Sequence, residues 1–469
     1  MAMQTPVHEK HKKSKKYRKT IKASIVTLPI LIVIYLGVSM YFSNHFYYGF
    51  AINGINASCK TVEEVDSEML TKSKTYTLDL KERNGVKEQI KANEIGLKYN
   101  VKDKIQALKE SQNSFTWIFS FFSPKTSEMN GIVKYDDKLL KERFDKLAVS
   151  DSKKIIEPKD ASFKYSDKGY VIVKEIKGNK VDGKQLYANL VSAIVKGETT
   201  VDLEAKNYYI NPKYTSTSQK VKNAKVLLNK YITSKITYTF AGGEEVLDGS
   251  TIHNFLGVDK NLEITFDKDK MYKYVKKVDN NYNTYGKQRD FATSLKTTAK
   301  VSGGDYGWLV DRSVEVNDLI VAIKNGQTIK KEPHYTQTAA SHDINDIGST
   351  YVEINLTKQH LWFYKNGSLV VQGDVVTGGV SNHHQTPTGV YKLKYKEKNA
   401  TLKGEGYSTP VDVFMPFNGG IGIHDLAARS SFGGSVYLTN GSHGCINCPP
   451  ILAKTIYNNI DANTPVICY

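Results

Sequence analysis

Ser442-His443-Gly444-Cys445-Ile446-Asn447, close to the carboxyl end, is the stretch from which the rest of the chain is read. A cysteine attacks as its thiolate, and near neutral pH it reaches that form only with a base or cation beside it. His443 stands two positions before Cys445. In an extended or sharply turned backbone such positions face the same side, so the imidazole can reach the sulfur. Gly444 between them lets the backbone approach a tetrahedral intermediate closely and turn its amide inward. Upstream, Ile421-Gly422-Ile423-His424-Asp425 closes an apolar run on a second histidine. Cys445 therefore reads as a nucleophile and His443 as its base; the plainer alternative is a small buried cysteine beside a turn histidine.

With the Gly/Ser-rich loop Ser430 to Ser435 lying between the two histidines, these residues resemble the signature of the L,D-transpeptidases, whose YkuD-like catalytic domain belongs to bacterial cell-wall enzymes. Thr386-Pro387-Thr388-Gly389 followed by Tyr391 resembles the T-P-x-G turn of the same family. The resemblance runs from Thr350 to Tyr469 and implies a mostly-β, β-sandwich-like domain with the cysteine on a loop at its edge. The residues agree: Tyr351 to Leu356 and Leu361 to Tyr364 read as strands flanking a turn, Asn366-Gly367 as a hairpin signal, and Leu369 to Thr377 as a third strand.

The resemblance also implies roles. The main-chain carbonyl of Ser442 would orient the His443 ring, and the N–H groups of Gly444 and Cys445 would hold the oxyanion. His424 would bind substrate or receive the proton of an incoming amine. Asp425 and Asn447 sit beside these residues. Arg429, in the loop over the site, would meet a stem-peptide carboxylate or remain a solvated arginine. Tyr407, Met415 and Asn418 would help form the substrate cleft, a core or edge-strand role being the alternative for each. The implied reaction transfers the acyl group of a peptidoglycan tetrapeptide to Cys445 with release of D-alanine, then to a side-chain amine, giving a 3→3 cross-link. Water as acceptor would make it an L,D-carboxypeptidase. Acylation by carbapenems, with neither cofactor nor metal, is part of the same expectation.

A chain of 469 residues exceeds one core, and ordinary domain sizes suggest roughly three globular units. Much of the formal charge of +17 lies in Lys10, Lys12, Lys13, Lys15, Lys16, Arg18, Lys19 and Lys22. An uncharged apolar stretch, Ala23 to Phe42, follows, long enough to cross a bilayer. Basic flanks stay in the cytoplasm, so the expected layout is a tail at 1–22, a membrane anchor at 23–42, and everything beyond it outside the cell. A cleavable signal peptide is the competing reading, but the apolar run exceeds a typical signal core and no clear small-x-small site follows. Next to a span, the basic run reads as topology and contact with anionic lipid heads; no nucleic-acid partner is expected. The positive excess beyond the span suits either anionic wall polymers or an ordinary solvated surface.

Between anchor and catalytic segment the chain has an α+β rhythm that occurs twice, predicting one module at 47–212 and another at 213–335. Thr61 with Glu64 forms a capping box, Tyr76 to Leu80 alternates as a strand, and Asn84-Gly85 turns it. Ala224 to Ile232, Ile236 to Phe240 and Gly242-Gly243 repeat that order. Tyr135 to Leu147 matches Phe266 to Val278 in helical phase; Gly169 to Val173 matches Gly307 to Val310; the helices Gln185 to Gly197 and Asn317 to Gly326 both end on glycine. Modules of this kind resemble the peptidoglycan-binding domains upstream of Gram-positive L,D-transpeptidases; spacers that set the height of the active site are the alternative. Lys330 to Asp346 reads as a polar linker. Trp117-Ile118-Phe119-Ser120-Phe121-Phe122, inserted in the first module, reads either as a buried loop or strand or as a surface that docks on the membrane or a partner.

Four cysteines, Cys59, Cys445, Cys448 and Cys468, are too few for a disulfide framework once one is catalytic. Cys445-x-x-Cys448 lacks the second pair that a zinc site requires. Cys448 is left as inert, paired with Cys468, or able to mask Cys445 as a disulfide. A papain-like hydrolase would place a histidine far downstream of its cysteine, and none follows Cys445. An inactive wall-binding scaffold is the remaining alternative.

Overall fold

The computed structural model describes residues 10–129, 131, 133–343, 345–404 and 406–469, without the side chains of 10–25 and of Tyr407. Its contacts divide the chain into two compact units: residues up to Ser162 together with Lys174–Ser216, and Phe163–Val173 together with Thr217–Tyr469.

The first unit begins with the helix Lys10–Asn44, within which Val26–Asn44 has a mean hydropathy of 2.0 and is long and apolar enough to cross a membrane. An α+β module follows. Its helix Val62–Thr75 starts on the expected capping box, Thr61 accepting the Glu64 N–H and the Glu64 carboxylate accepting the Thr61 N–H. Strand Thr77–Lys81 pairs antiparallel with Lys87–Lys91 and parallel with Thr200–Asp202. The turn between the first two places Asn84 and Gly85 at φ of 63° and 78°, the left-handed region that Asn and Gly tolerate best. Leu78, Leu80 and Ile90 from the sheet meet Leu140, Phe144, Leu186, Leu190 and Ile194 from two helices in one core.

The second unit repeats this design. Strand Lys235–Phe240 pairs antiparallel with Gly243–Leu247 and parallel with Thr328–Lys331, the same order as in the first module. The helices preceding the third strand, Gly183–Lys196 and Arg312–Asn325, are capped alike: Asp182 and Asp311 accept first-turn N–H groups, and Gly197 and Gly326 end them in the left-handed region. A duplicated sequence pattern has become a duplicated topology.

Lys330 to Asp346 is not a free linker. Tyr335–Gln337 pairs with Leu309–Val310, the Trp308 indole donates to the Ser341 carbonyl at 2.9 Å, and Arg289 holds the buried Asp346 carboxylate through two contacts of 2.7 Å. Its polar composition carried no periodicity because its side chains serve hydrogen bonds instead of one apolar face.

The carboxyl-terminal part is mostly β, as expected. One sheet has the order Ser368–Asp374, His360–Lys365, Tyr351–Asn355, Pro465–Cys468, Gly389–Lys392; the other has Glu397–Gly404, Tyr407–Asn418, Ile421–Asp425, Ile446–Cys448. Val352, Ile354, Phe363, Val413, Met415, Ile423 and Ile446 from both sheets enclose a core with Leu452, Ala453 and Ile456 of helix Pro450–Asn459. Cys445 immediately precedes the last strand of the second sheet, at its edge.

The second module is fastened to this domain. Phe291, Val301 and Tyr306 share a core with Ile347, Val390 and Ile467. The Tyr306 N–H donates to the Val390 carbonyl, and the Val390 N–H to the Gly303 carbonyl, both at 3.1 Å. Buried Glu353 accepts from the Ser294 backbone and hydroxyl and from Tyr469.

Candidate active site

Parallel pairing of Ile421–Asp425 with Ile446–Cys448 sets His424 beside Asn447 and fixes the position of the cysteine loop against the second histidine. The backbone of Asn447 also pairs with Val376, through bonds of 2.9 and 3.0 Å, so the strand leaving Cys445 is held from both sides. The loop itself is tied internally. Ser442 Oγ donates to the Cys445 carbonyl at 2.6 Å and accepts the Gly444 N–H at 3.0 Å. Gly444, at φ 114°, adopts a backbone conformation that other residues rarely reach.

Thr386 anchors this loop from outside. Its buried hydroxyl donates to the Gly444 carbonyl at 2.7 Å and accepts the Gly378 N–H at 3.0 Å. The T-P-x-G turn therefore supports the cysteine loop physically. Its threonine carried no role in the sequence because its partner lies 58 residues away.

The cleft beside Cys445 has a volume of about 220 Å³ and is lined by Leu402, Thr409, Leu426, Arg429 and Ser442 together with His424, His443 and Asn447. The thiol is half-buried. It donates to the Gly420 carbonyl, Sγ to O 3.6 Å, at the turn joining Tyr407–Asn418 to Ile421–Asp425. Burial pushes its pKa above the ordinary thiol value, and a bond from the Gly422 backbone pulls only partly against this. His443 is exposed on the rim, its ring 4.7 Å from that of His384. His384 is a neighbour that nothing in the sequence signalled, since it arrives from the loop before the T-P-x-G turn.

His424 is the opposite kind of histidine. It is buried, and its Nδ1 lies 2.8 Å from the Asp425 carbonyl. A carbonyl only accepts, so Nδ1 carries the proton and Nε2 keeps its lone pair. Burial lowers its pKa, against the opposing pull of Asp425 and a bond from the Asn447 side chain; the ring is neutral at neutral pH. The Asp425 carboxylate accepts the Val413 N–H at 2.8 Å and holds the sheet rather than the cleft. Arg429 lines the cleft and donates from Nη1 to the Asn440 carbonyl at 2.9 Å, while its Nε is buried without a hydrogen-bond partner.

Other expected site residues fall elsewhere. Met415 is fully buried in the core, a correction that follows from strand alternation: Phe414 registers with His424 on the cleft side and Met415 with Ile423 on the core side. Asn418 is half-buried at the end of its strand and does not line the cleft. The Tyr407 side chain lies outside the described residues. The carbonyl of Ser442 accepts the Gly379 N–H at 2.9 Å, and the Gly444 N–H meant for an oxyanion is turned back to Ser442 Oγ.

All four cysteines are free thiols. Cys448 and Cys468 are fully buried in the domain core, and burial drives both pKa values far up. Three residues along a strand reverse the face, so Cys448 points into the core and Cys445 into the cleft. Outside this cleft, Glu315, Asp318 and His334 bring ligand-type atoms together, but Lys331 pairs with both carboxylates and the Tyr238 hydroxyl donates to Glu315. Those contacts make it an ion-pair network.

The raised thiol pKa has a kinetic consequence. Below its pKa each unit of pH increases the thiolate fraction tenfold. Alkylation of Cys445 by iodoacetamide is therefore expected to keep climbing between about pH 7 and about pH 9, past the point where an exposed thiol begins to level off. A rate already flat at neutral pH would contradict a resting thiol.

Comparison with known proteins places this geometry. Residues 349–468 match the YkuD family, described as the L,D-transpeptidase catalytic domain. Residues 88–202 and 214–330 each match the family described as "Putative peptidoglycan binding domain". No curated protein sequence matches. Among solved structures, the chain is 32% identical to the avibactam carbamoyl enzyme of Ldtfm, covering 53% of this chain and 98% of that one at a TM-score of 0.46. A cysteine-to-serine mutant of Enterococcus faecium L,D-transpeptidase is 30% identical, covering 54% of this chain and all of that one at a TM-score of 0.45. The E. faecium catalytic domain acylated by ertapenem is 40% identical, covering 26% of this chain and 98% of that one at a TM-score of 0.25. By its family matches and by sequence identity along the full length of such relatives, the chain belongs to the L,D-transpeptidases, with a YkuD catalytic domain at its carboxyl end and peptidoglycan-binding domains upstream.

Proposed function

We propose that this enzyme forms 3→3 cross-links in peptidoglycan through a thioester on Cys445. The observation that carries the proposal is a half-buried thiol at the wall of a cleft that is also lined by His443, neutral His424 and Arg429. His443 takes the thiol proton as sulfur attacks the carbonyl of the third stem residue. The carbon–nitrogen bond to D-alanine breaks, and the same proton leaves on its amine. A side-chain amine from a second stem then attacks the thioester, gives up a proton to a ring nitrogen, and returns the thiol. Arg429, whose side chain lines the cleft, suits a stem-peptide carboxylate through its guanidinium. A covalent thioester also accounts for expected acylation by carbapenems, in line with the ertapenem-acylated relative.

Cell-surface placement is part of the proposal: 1–22 inside, one span within 23–42, modules at 47–212 and 213–335 that bind or reach into the wall, and the catalytic domain at 350–469 outside. Retention of the span, as opposed to cleavage, is supported by its last turns, where Phe42 is buried in the core of the first module and buried Lys109 donates to the Phe42 carbonyl at 2.8 Å. The test is incubation of the full-length protein with disaccharide-tetrapeptide, read by mass. Dimers lighter by one alanine for each bond formed support cross-linking. Tripeptide without dimer makes the enzyme a carboxypeptidase, and unchanged substrate makes it a scaffold.

A further inference from the structure

We propose that Ser114–Phe122 is a wedge seated in the outer leaflet of the bilayer, at the boundary between headgroups and acyl chains, where it fixes the first module against the membrane. This rests on the reading of Val26–Asn44 as a retained span. The segment Ser114–Phe121 is a 3-10 helix packed along the span itself. The Trp117 ring lies 5.8 Å from Tyr35 and 6.0 Å from Phe42, and its indole donates to Ser39 Oγ at 3.1 Å. The Tyr35 hydroxyl donates to the Phe115 carbonyl.

Length makes these contacts informative. At 1.5 Å per residue, Ala23 to Phe42 extends about 30 Å, one hydrocarbon thickness. If the turns from Tyr35 onward stood clear of lipid, the remaining stretch Ala23 to Ile34 would reach only about 18 Å, too short to cross. The turns that hold Trp117 must therefore lie within the bilayer, and the segment packed on them lies at that depth.

Its outer surface fits the same place. Phe119 and Phe122 are 69% and 84% exposed, and Phe115 and Phe121 are at least half exposed, an apolar patch that a water-facing loop would not keep open. The buried-loop reading of this aromatic run is thereby set aside. Irregular backbone at membrane depth needs internal partners, and they are present: Asn113 Oδ1 accepts the Phe115 N–H, the Asn113 carbonyl accepts the Thr116 N–H, and the Phe119 carbonyl accepts the Phe122 N–H. Tyr47, Tyr48 and exposed Lys125 share a hollow with Phe119, the mixture of amphipathic rings and cation found at lipid interfaces.

The test uses full-length protein reconstituted in phosphatidylcholine–phosphatidylglycerol vesicles, with or without acyl chains brominated close to the ester. Trp117 is one of three tryptophans, so brominated lipid is expected to remove roughly a third of the emission, and Trp117→Phe to abolish that loss. The double variant Phe119→Glu with Phe122→Glu changes only exposed side chains; it should measurably reduce the quenching by drawing the segment toward the headgroups, while the protein stays in the vesicles through an alkaline carbonate wash. Retention in the vesicles with Trp117 unquenched overturns the wedge, together with the depth assigned to the turns from Tyr35 onward. Quenching untouched by the two glutamates also overturns it. Release of the wild-type protein by carbonate overturns the span, and the wedge with it.

Discussion

Cys445→Ala is expected to yield no mass adduct with a carbapenem and to lose cross-linking by at least about 10⁴-fold, the scale set by removing a covalent nucleophile. The other two thiols of this domain cannot take over. Cys448 and Cys468 are sealed in the core, where burial holds them as neutral thiols. The substitution removes one sulfur from a half-buried position packed against the cluster of Ala400, Val411 and Phe414, so stability should change by less than about 1 kcal/mol. Cys448→Ala reverses the pattern. It opens a small core cavity and lowers stability by about 1 kcal/mol or more, while the adduct on Cys445 still forms. Intact mass and thermal melting of the two variants separate chemistry from packing. An adduct on the alanine variant would remove Cys445 from the mechanism.

Gly304→Ala is expected to be the most damaging single-methyl change at the junction of the second module and the catalytic domain. A Cβ there would lie 1.9 Å from the Val390 carbonyl oxygen and 2.5 Å from its carbon, and φ at this position is +85°. Backbone cannot step aside as the end of a side chain can. Left-handed strain and overpacking add to a loss of about 3 kcal/mol or more, or roughly 6 °C or more in melting temperature. The effect should reach the site as well. Val390 follows Gly389 of the T-P-x-G turn, and Thr386 of that turn holds the Gly444 carbonyl beside Cys445. Slower carbapenem acylation is therefore expected along with the lower melting temperature. A variant that melted like the wild type would mean that the Gly303–Tyr306 pairing with Val390 contributes little to the fold.

The two variants mark where sequence reasoning was strong. That Cys445, His443 and His424 line one cleft was legible because the first two share one short turn and the third ends a strand; local spacing carries that information. The duplication was legible because helical phase, strands and terminal glycines recur in the same order. Met415 was misplaced because whether a strand residue faces cleft or core depends on a register set by Ile423 and His424 across the sheet, and a shift of one residue exchanges the faces. Lys330 to Asp346 looked like a linker because hydrogen bonds to Arg289, Tyr306 and Trp308 leave no periodic trace.

What the amino-acid order alone determined is the chemistry that fits within a few residues: a thiol two positions from an imidazole, an apolar stretch long enough for a bilayer behind a basic tail, and two copies of one α+β pattern. What only the tertiary structure decided is which distant groups meet them. Thr386 on Gly444, His384 against His443, Arg429 on Asn440 and Trp117 along the first helix join residues 11 to 82 positions apart. No local propensity encodes such pairings; they exist because two sheets closing on one core, and one helix end entering another, leave each of these groups a single place to be.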